Sequence, residues 1–164
     1  MENTFGMNII PENDQQRTEA LKRYKILYSP PEHSFDNAAK LATQIFGVPI
    51  ALISFVAPED VFLKANIGMG AQKSIPRGFS LSSLAILDPD VTVFEDTLST
   101  PHLLSNPMVT GELAIRFYAG APIITCDGYT IGTVSLMDKM PRKFTAQDRE
   151  ILKGLAKVVM DETE

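Results

Sequence analysis

The sequence predicts an α+β domain built on an antiparallel sheet. Two apolar strand pairs carry that prediction, residues 49–56 with 61–68 and residues 117–124 with 129–138. Each pair is joined by a short turn, and strands linked so tightly lie antiparallel. Amphipathic helical patterns bracket the strands at both ends, which places helices against a sheet rather than between parallel strands. A chain of 164 residues is one ordinary domain, long enough to bury a core.

Each element follows from local chemistry. Residues 1–12 show no periodicity and read as a loose arm, so residues 1–16 are expected to be flexible and residues 17–164 to form the domain. From Thr18, a helical stripe of Ala20, Leu21, Tyr24, Leu27 and Tyr28 runs to the Pro30-Pro31 pair, which ends it. Ser34 reads as the N-cap of a second helix with Phe35, Ala38, Leu41, Ala42 and Ile45 inward and Gly47 at its end. Residues 49–56, Pro-Ile-Ala-Leu-Ile-Ser-Phe-Val, are apolar in both alternating registers, as in a strand covered on both faces. A turn at 57–60 leads into the returning strand at 61–68. Residues 68–78 read as a loop, 82–87 as a short helix and 91–96 as a short strand.

Residues 97–114 are irregular, punctuated by Pro101, Asn106, Pro107 and Gly111. A connection of that length inside a compact domain often lines a site. The last hairpin turns at Asp127-Gly128. A closing helix follows from Thr145, whose partner Asp148 completes a capping box, with Ile151, Leu152, Leu155, Ala156, Val158 and Val159 as its apolar stripe. The first and last helices are expected side by side on one face.

Composition excludes several functions. A hydrophobic content of 45% with 21% charged residues is that of a globular chain. A net charge of −5, without a basic run, offers no footprint for nucleic acid or an anionic membrane. The single cysteine cannot form an internal disulfide. The polar, acidic N-terminus lacks the pattern of a signal peptide, and the longest apolar run, residues 48–58, is too short to span a bilayer. A cytoplasmic location is therefore expected.

The stretches Pro-Arg-Gly-Phe-Ser-Leu-Ser-Ser-Leu-Ala-Ile-Leu (76–87) and 93–138, above all Asn106–Gly111, Ile115–Ile123 and Asp127–Asp138, resemble the GAF domain family. The similarity is greatest to the subgroup in bacterial sensor kinases and cyclic-nucleotide signalling proteins, and it runs from about Arg17 to Val159. It implies a PAS-like antiparallel sheet of about six strands. The first, second and last helices would pack on one face, and a small-molecule pocket would lie on the other beneath the short helix and long loop. The sequence also departs from the family. Where the subgroup often has Ser-Phe-Cys-x-His-Ala-Ile, this chain has Ser80-Leu81-Ser82-Ser83-Leu84-Ala85-Ile86. Ser82 cannot attach a tetrapyrrole as a cysteine does, and the signature of cyclic-nucleotide-binding members is missing. A relative that reduces free methionine sulfoxide uses several cysteines, against one here.

Pocket-side candidates are Phe79, Ser80, Ser82, Phe94, Asp96, Arg116 and Tyr118, aromatics among a few polar groups, which suits a small-molecule site and equally an ordinary core. Arg116 and Asp96 could clamp each other across the long loop, or Arg116 could meet a ligand carboxylate. The small residues Ala119, Gly120, Ala121, Gly132 and Thr133 suggest close helix packing on the sheet. Cys126 reads as a turn residue, since thiol catalysis needs a nearby cation or helix N-terminus and usually a resolving partner. His33 and His102 are isolated and form no metal set; no catalytic residue, metal or cofactor is assigned.

The expected function is a non-enzymatic sensory or regulatory domain binding an unknown small molecule non-covalently. Its output would pass through a separate partner protein or a homodimer through the terminal helices, for which Leu155, Val158 and Val159 are candidates, or the domain is one part of a larger protein. The rival readings are a ligand-free dimerisation scaffold and a free methionine sulfoxide reductase relative.

Overall fold

A computed structural model of the chain describes residues 2–164. Helix α1 spans Asp14–Arg23, α2 His33–Phe46, α3 Ser82–Ala85, α4 Pro107–Thr110 and α5 Ala146–Thr163. Strands are β1 Ile50–Val56, β2 Asp60–Ile67, β3 Ser74–Pro76, β4 Thr92–Phe94, β5 Phe117–Ile124 and β6 Thr130–Asp138. They form one six-stranded antiparallel sheet in the order β3-β2-β1-β6-β5-β4.

Period-2 alternation sorts the sheet residues into two buried layers. Ala51, Ile53, Phe55, Ala119, Ala121, Val134 and Leu136 face the layer formed by α1, α2 and α5, where Leu21, Phe35, Ala39, Leu152, Ala156 and Val159 meet them. Ile50, Leu52, Val56, Tyr118 and Met137 face the other way, toward α3, α4 and the irregular segment between β4 and β5. Residues 97–114 carry two 3-10 turns besides α4, so the long loop is ordered rather than coil.

Several expectations shift. The first helix begins at Asp14 and ends at Arg23, because the following residues Lys25 and Tyr28 take left-handed backbone conformations (φ 54° and 60°) that no helix continues. It shares the helix-side core with α5, but the helix packed alongside α5 is α2. Glu32, not Ser34, occupies the N-cap of α2. Leu41 and Ile45 on α2 and Val158 on α5 face outward, 48%, 45% and 53% exposed, because the apolar stripes are wider than the sheet can cover. Val159 is spent in the chain's own core. The edge strand β3, Ser74–Pro76, lies in what the sequence presents as loop.

The N-terminal arm is not loose. Phe5 and Ile9 are buried at 2% and 1% exposure within the cluster beneath α3 and α4. Two aromatic and aliphatic anchors in a short irregular segment leave no periodicity to detect, which is why pattern reading missed them.

Candidate functional site

The loop-covered face of the sheet holds a cluster of buried hydroxyls. Ser54 on β1, Tyr118 on β5, and Thr133 and Ser135 on β6 all project to this face, and Ser82 descends onto them from α3. Each is at most 2% exposed. The Tyr118 hydroxyl and Ser135 Oγ are 2.8 Å apart, Thr133 Oγ1 and Ser135 Oγ 3.0 Å, and Thr133 Oγ1 donates to Ser82 Oγ at 2.9 Å. Ser54 pairs with Thr133 across the β1–β6 ladder, yet its own hydroxyl is buried without a hydrogen-bond partner.

One glycine makes room for this layer and a second lets β1 lie close to β6. A side chain at Gly120 would collide with the Tyr118 hydroxyl, because the Tyr118 ring folds back over Gly120. One at Gly132 would collide with the Ser54 carbonyl. These positions thus admit a ring and a neighbouring strand, rather than the helix that the run of small residues suggests; Ala119 and Ala121 do face the helices. Thr133 belongs to the hydroxyl layer.

Of the sequence candidates, Ser80, Ser82 and Tyr118 are buried together in this region and Phe94 is half-buried, its ring 6.2 Å from that of Tyr118. Ser80 Oγ accepts from the Ser82 amide at 3.2 Å and so shapes the entry to α3. Asp96 and Arg116 do not pair: Asp96 accepts from the Leu98 amide at 3.1 Å and caps a 3-10 turn, while Arg116 Nη1 donates to the Val109 carbonyl at 2.8 Å. Arg116 does tie down the long segment, through a carbonyl instead of a carboxylate. Phe79 stands apart at 41% exposure, lining an open groove of about 380 Å³ with Met69, Ile75, Pro107, Met108 and Leu113.

The space directly beneath α3 is therefore filled by side chains, and the open volume on this face lies at its edge. Thr133, Ser135 and Ser54 were missed as site residues. Their signal was present as hydroxyls at alternate positions of otherwise apolar strands. Asn106 was read only as loop punctuation; it is fully buried and donates to the Phe79 carbonyl at 2.8 Å while capping α4.

The electrostatics of the layer are neutral. Burial pushes the Tyr118 phenol above its ordinary value, against the hydrogen bonds of Ser135, Ser82 and Thr133 that favour the phenolate. At the rim lies a charged cluster. Arg77 sends two nitrogens to the Asp14 carboxylate, at 2.7 and 3.0 Å, and Arg17 Nε binds the same group at 3.0 Å. Both guanidinium groups are essentially inaccessible, and each keeps one buried nitrogen without a partner, Arg17 Nη2 and Arg77 Nε. Burial pushes the Asp14 carboxyl up, but the two arginines outweigh it and hold it below its ordinary value.

Cys126 is free and exposed in the turn between β5 and β6. Among the described residues no three His, Cys, Asp or Glu side chains converge as a metal set, and no helix is long and apolar enough to cross a membrane.

An open antiparallel sheet, helices on one face and a loop-and-helix cover on the other, defines a PAS-like α+β domain. The chain belongs to the GAF domain family, whose model matches residues 30–161. A cyclic di-GMP phosphodiesterase of Pseudomonas aeruginosa is 34% identical over 92% of this chain, which spans 26% of that protein. Among solved structures, the GAF domain of an Acinetobacter phosphoenolpyruvate-protein phosphotransferase superposes with a TM-score of 0.68 at 15% identity, covering 93% of both chains. The type II free methionine-R-sulfoxide reductase of Thermoplasma acidophilum superposes with a TM-score of 0.65 at 18% identity, covering 87% of this chain and 94% of that one. These structural likenesses establish the fold.

Proposed function

We propose that this is a non-enzymatic regulatory GAF domain that binds a small molecule non-covalently on the loop-covered face of its sheet. The observation that carries the reading is the buried hydroxyl layer beneath α3, with Ser54 Oγ unpartnered in it, which a ligand reaches by displacing the side chains that fill that space. A buried polar atom without a partner is costly, so such groups mark places where a further polar group belongs. Hydroxyls without an adjacent base orient a neutral polar group; they do not supply an activated nucleophile. A neutral ligand or a weakly anionic one suits this layer.

The reductase reading has little support in the site, since the lone thiol lies in an exposed turn away from the hydroxyl layer. Phosphodiesterase chemistry is stated of a relative about three and a half times as long as this chain. The output would pass through a partner protein or a second copy. The exposed apolar residues Leu41, Ile45, Ile151 and Val158 on α2 and α5 support a homodimer through these helices. The proposed contact is α2 with α5, without α1, whose outward side is polar.

Thermal-shift screening of nucleotides, tetrapyrroles and small metabolites tests the ligand. A compound at one hundred times its Kd should add about 2.7 kcal/mol of stability. That shift should shrink in Tyr118→Phe, which keeps the ring and removes the hydroxyl. If nothing shifts the midpoint, the ligand reading fails and a dimerisation scaffold stands; sedimentation of wild type against Val158→Asp then decides whether the scaffold is real.

A further inference from the structure

The N-terminal arm makes an unusual contact with the body of the domain. Phe5 and Ile9 sit in the same buried cluster as Leu81, Leu103, Val109 and Tyr118, so the arm completes the loop-covered face. Yet it pairs with no strand. The hydrogen bonds that join it to the body gather at two residues. The Thr4 amide and Thr4 Oγ1 donate to the Gly78 carbonyl at 3.1 and 3.2 Å, Asn106 Nδ2 donates to Thr4 Oγ1 at 2.9 Å, and His102 Nδ1 lies 3.3 Å from the Phe5 carbonyl.

The rest of the arm satisfies itself. Asn3 Oδ1 accepts from the Phe5 amide at 2.8 Å, Asn3 Nδ2 donates to the Met7 carbonyl at 2.9 Å, and Asn8 Oδ1 accepts from the Ile10 amide at 3.0 Å. Those bonds would survive if the arm left. The receiving surface is shaped for backbone: a side chain at Gly78 would strike the Glu2 carbonyl, so only a glycine lets the arm lie this close.

We infer that Gly78, His102 and Asn106, with the apolar seats beneath them, form a peptide-accepting groove whose resident occupant is the chain's own residues 3–10, held in cis and displaceable. Main-chain and side-chain groups of the groove read Thr4 and the Phe5 carbonyl, while an aromatic and an aliphatic side chain anchor the segment. Phe5 and Ile9 share their buried cluster with Tyr118, whose hydroxyl belongs to the layer, so release of the arm uncovers the cluster beside it. This builds on the ligand reading above only in naming what release exposes; the detachment itself is tested without any ligand.

Hydrogen exchange on the wild-type chain is the first measurement. The Thr4 amide should exchange at least about 100-fold faster than Ile53 and Val134, because a detachable segment opens below the global unfolding free energy. Equal rates would make the arm part of the cooperative core and overturn the inference, whether or not any variant folds. The second measurement uses Phe5→Ala combined with Ile9→Ala and the dye 8-anilinonaphthalene-1-sulfonate. Dye fluorescence should rise at least about fivefold while the strands stay protected, since a vacated apolar seat takes up an apolar probe. An excess of a synthetic peptide of residues 2–12 should reverse the rise, and the same peptide with both anchors changed to alanine should not. Absence of the rise, loss of strand protection with the anchors, or indifference to the peptide would each refute it.

Discussion

The two faces of one sheet are built by different physics. The helix-side face meets three helices of 10, 14 and 18 residues through Ala, Ile, Leu, Val and Phe, with small residues letting α5 lie close over β5. The loop-side face meets two four-residue helices, two 3-10 turns and a strandless arm, and it carries the hydroxyl layer, while the cluster of Asp14 and Arg17 with Arg77 ties α1 to the residues after β3. Regular apolar packing maximises burial and leaves few seats for polar groups; Lys64, buried over the Phe35 ring of α2, occupies one. An irregular cover supplies backbone and side-chain partners for polar groups, and that makes the second face suited to recognition.

Breaking the rim should have the largest effect. Asp14→Ala would leave the Arg17 and Arg77 guanidinium groups buried without their carboxylate, at a cost of about 3–5 kcal/mol, read by urea unfolding at pH 7. The pH dependence has a definite sign. The folded Asp14 carboxyl is held below its ordinary value. Its contribution is therefore complete above the unfolded carboxylate range near 4 and is lost as pH falls through the lower folded value. The acid arm of the wild-type stability profile should be steeper than that of the variant; parallel profiles would remove Asp14 as the cause.

Next comes the regular face. Leu152 is fully buried on α5, and Leu152→Ala should cost about 3 kcal/mol through the cavity it leaves. A similar loss from Tyr118→Phe on the opposite face would erase the contrast between the two. That substitution should instead cost about 1 kcal/mol, the net worth of one buried hydrogen bond.

The smallest effect sharpens the comparison most. Ser54→Ala removes a buried hydroxyl that has no partner. It should be neutral or stabilising by up to about 1 kcal/mol, because no protein hydrogen bond is lost with the oxygen. Differential scanning calorimetry resolves the question, as 1 kcal/mol moves the midpoint by about 2–4 °C in a domain of this size. A clear loss of stability would mean that Ser54 has a bonding role beyond the contacts described above.

Local chemistry alone determined much of this protein. The hairpins, the Cys126 turn and the capping box of Thr145 with Asp148 follow from residues a few positions apart, and all are found in the fold. So do the helix-side layer and the family, because period-2 and period-3.6 patterns and long motifs are read directly along the chain. Tertiary structure decided what no window of sequence contains. Asp14 meets Arg77, Ser54 faces Thr133, Asn106 reaches Thr4, and Phe5 fills a seat beneath residues about a hundred positions away. It also decided that Leu41, Ile45 and Val158 stay outside, since a helix's apolar stripe says how much could be buried but not how wide the covering sheet will be. Contacts between distant segments depend on where the whole chain closes. The helix-covered face, made of regular elements, was therefore legible element by element, and the irregular face that carries the candidate site was not.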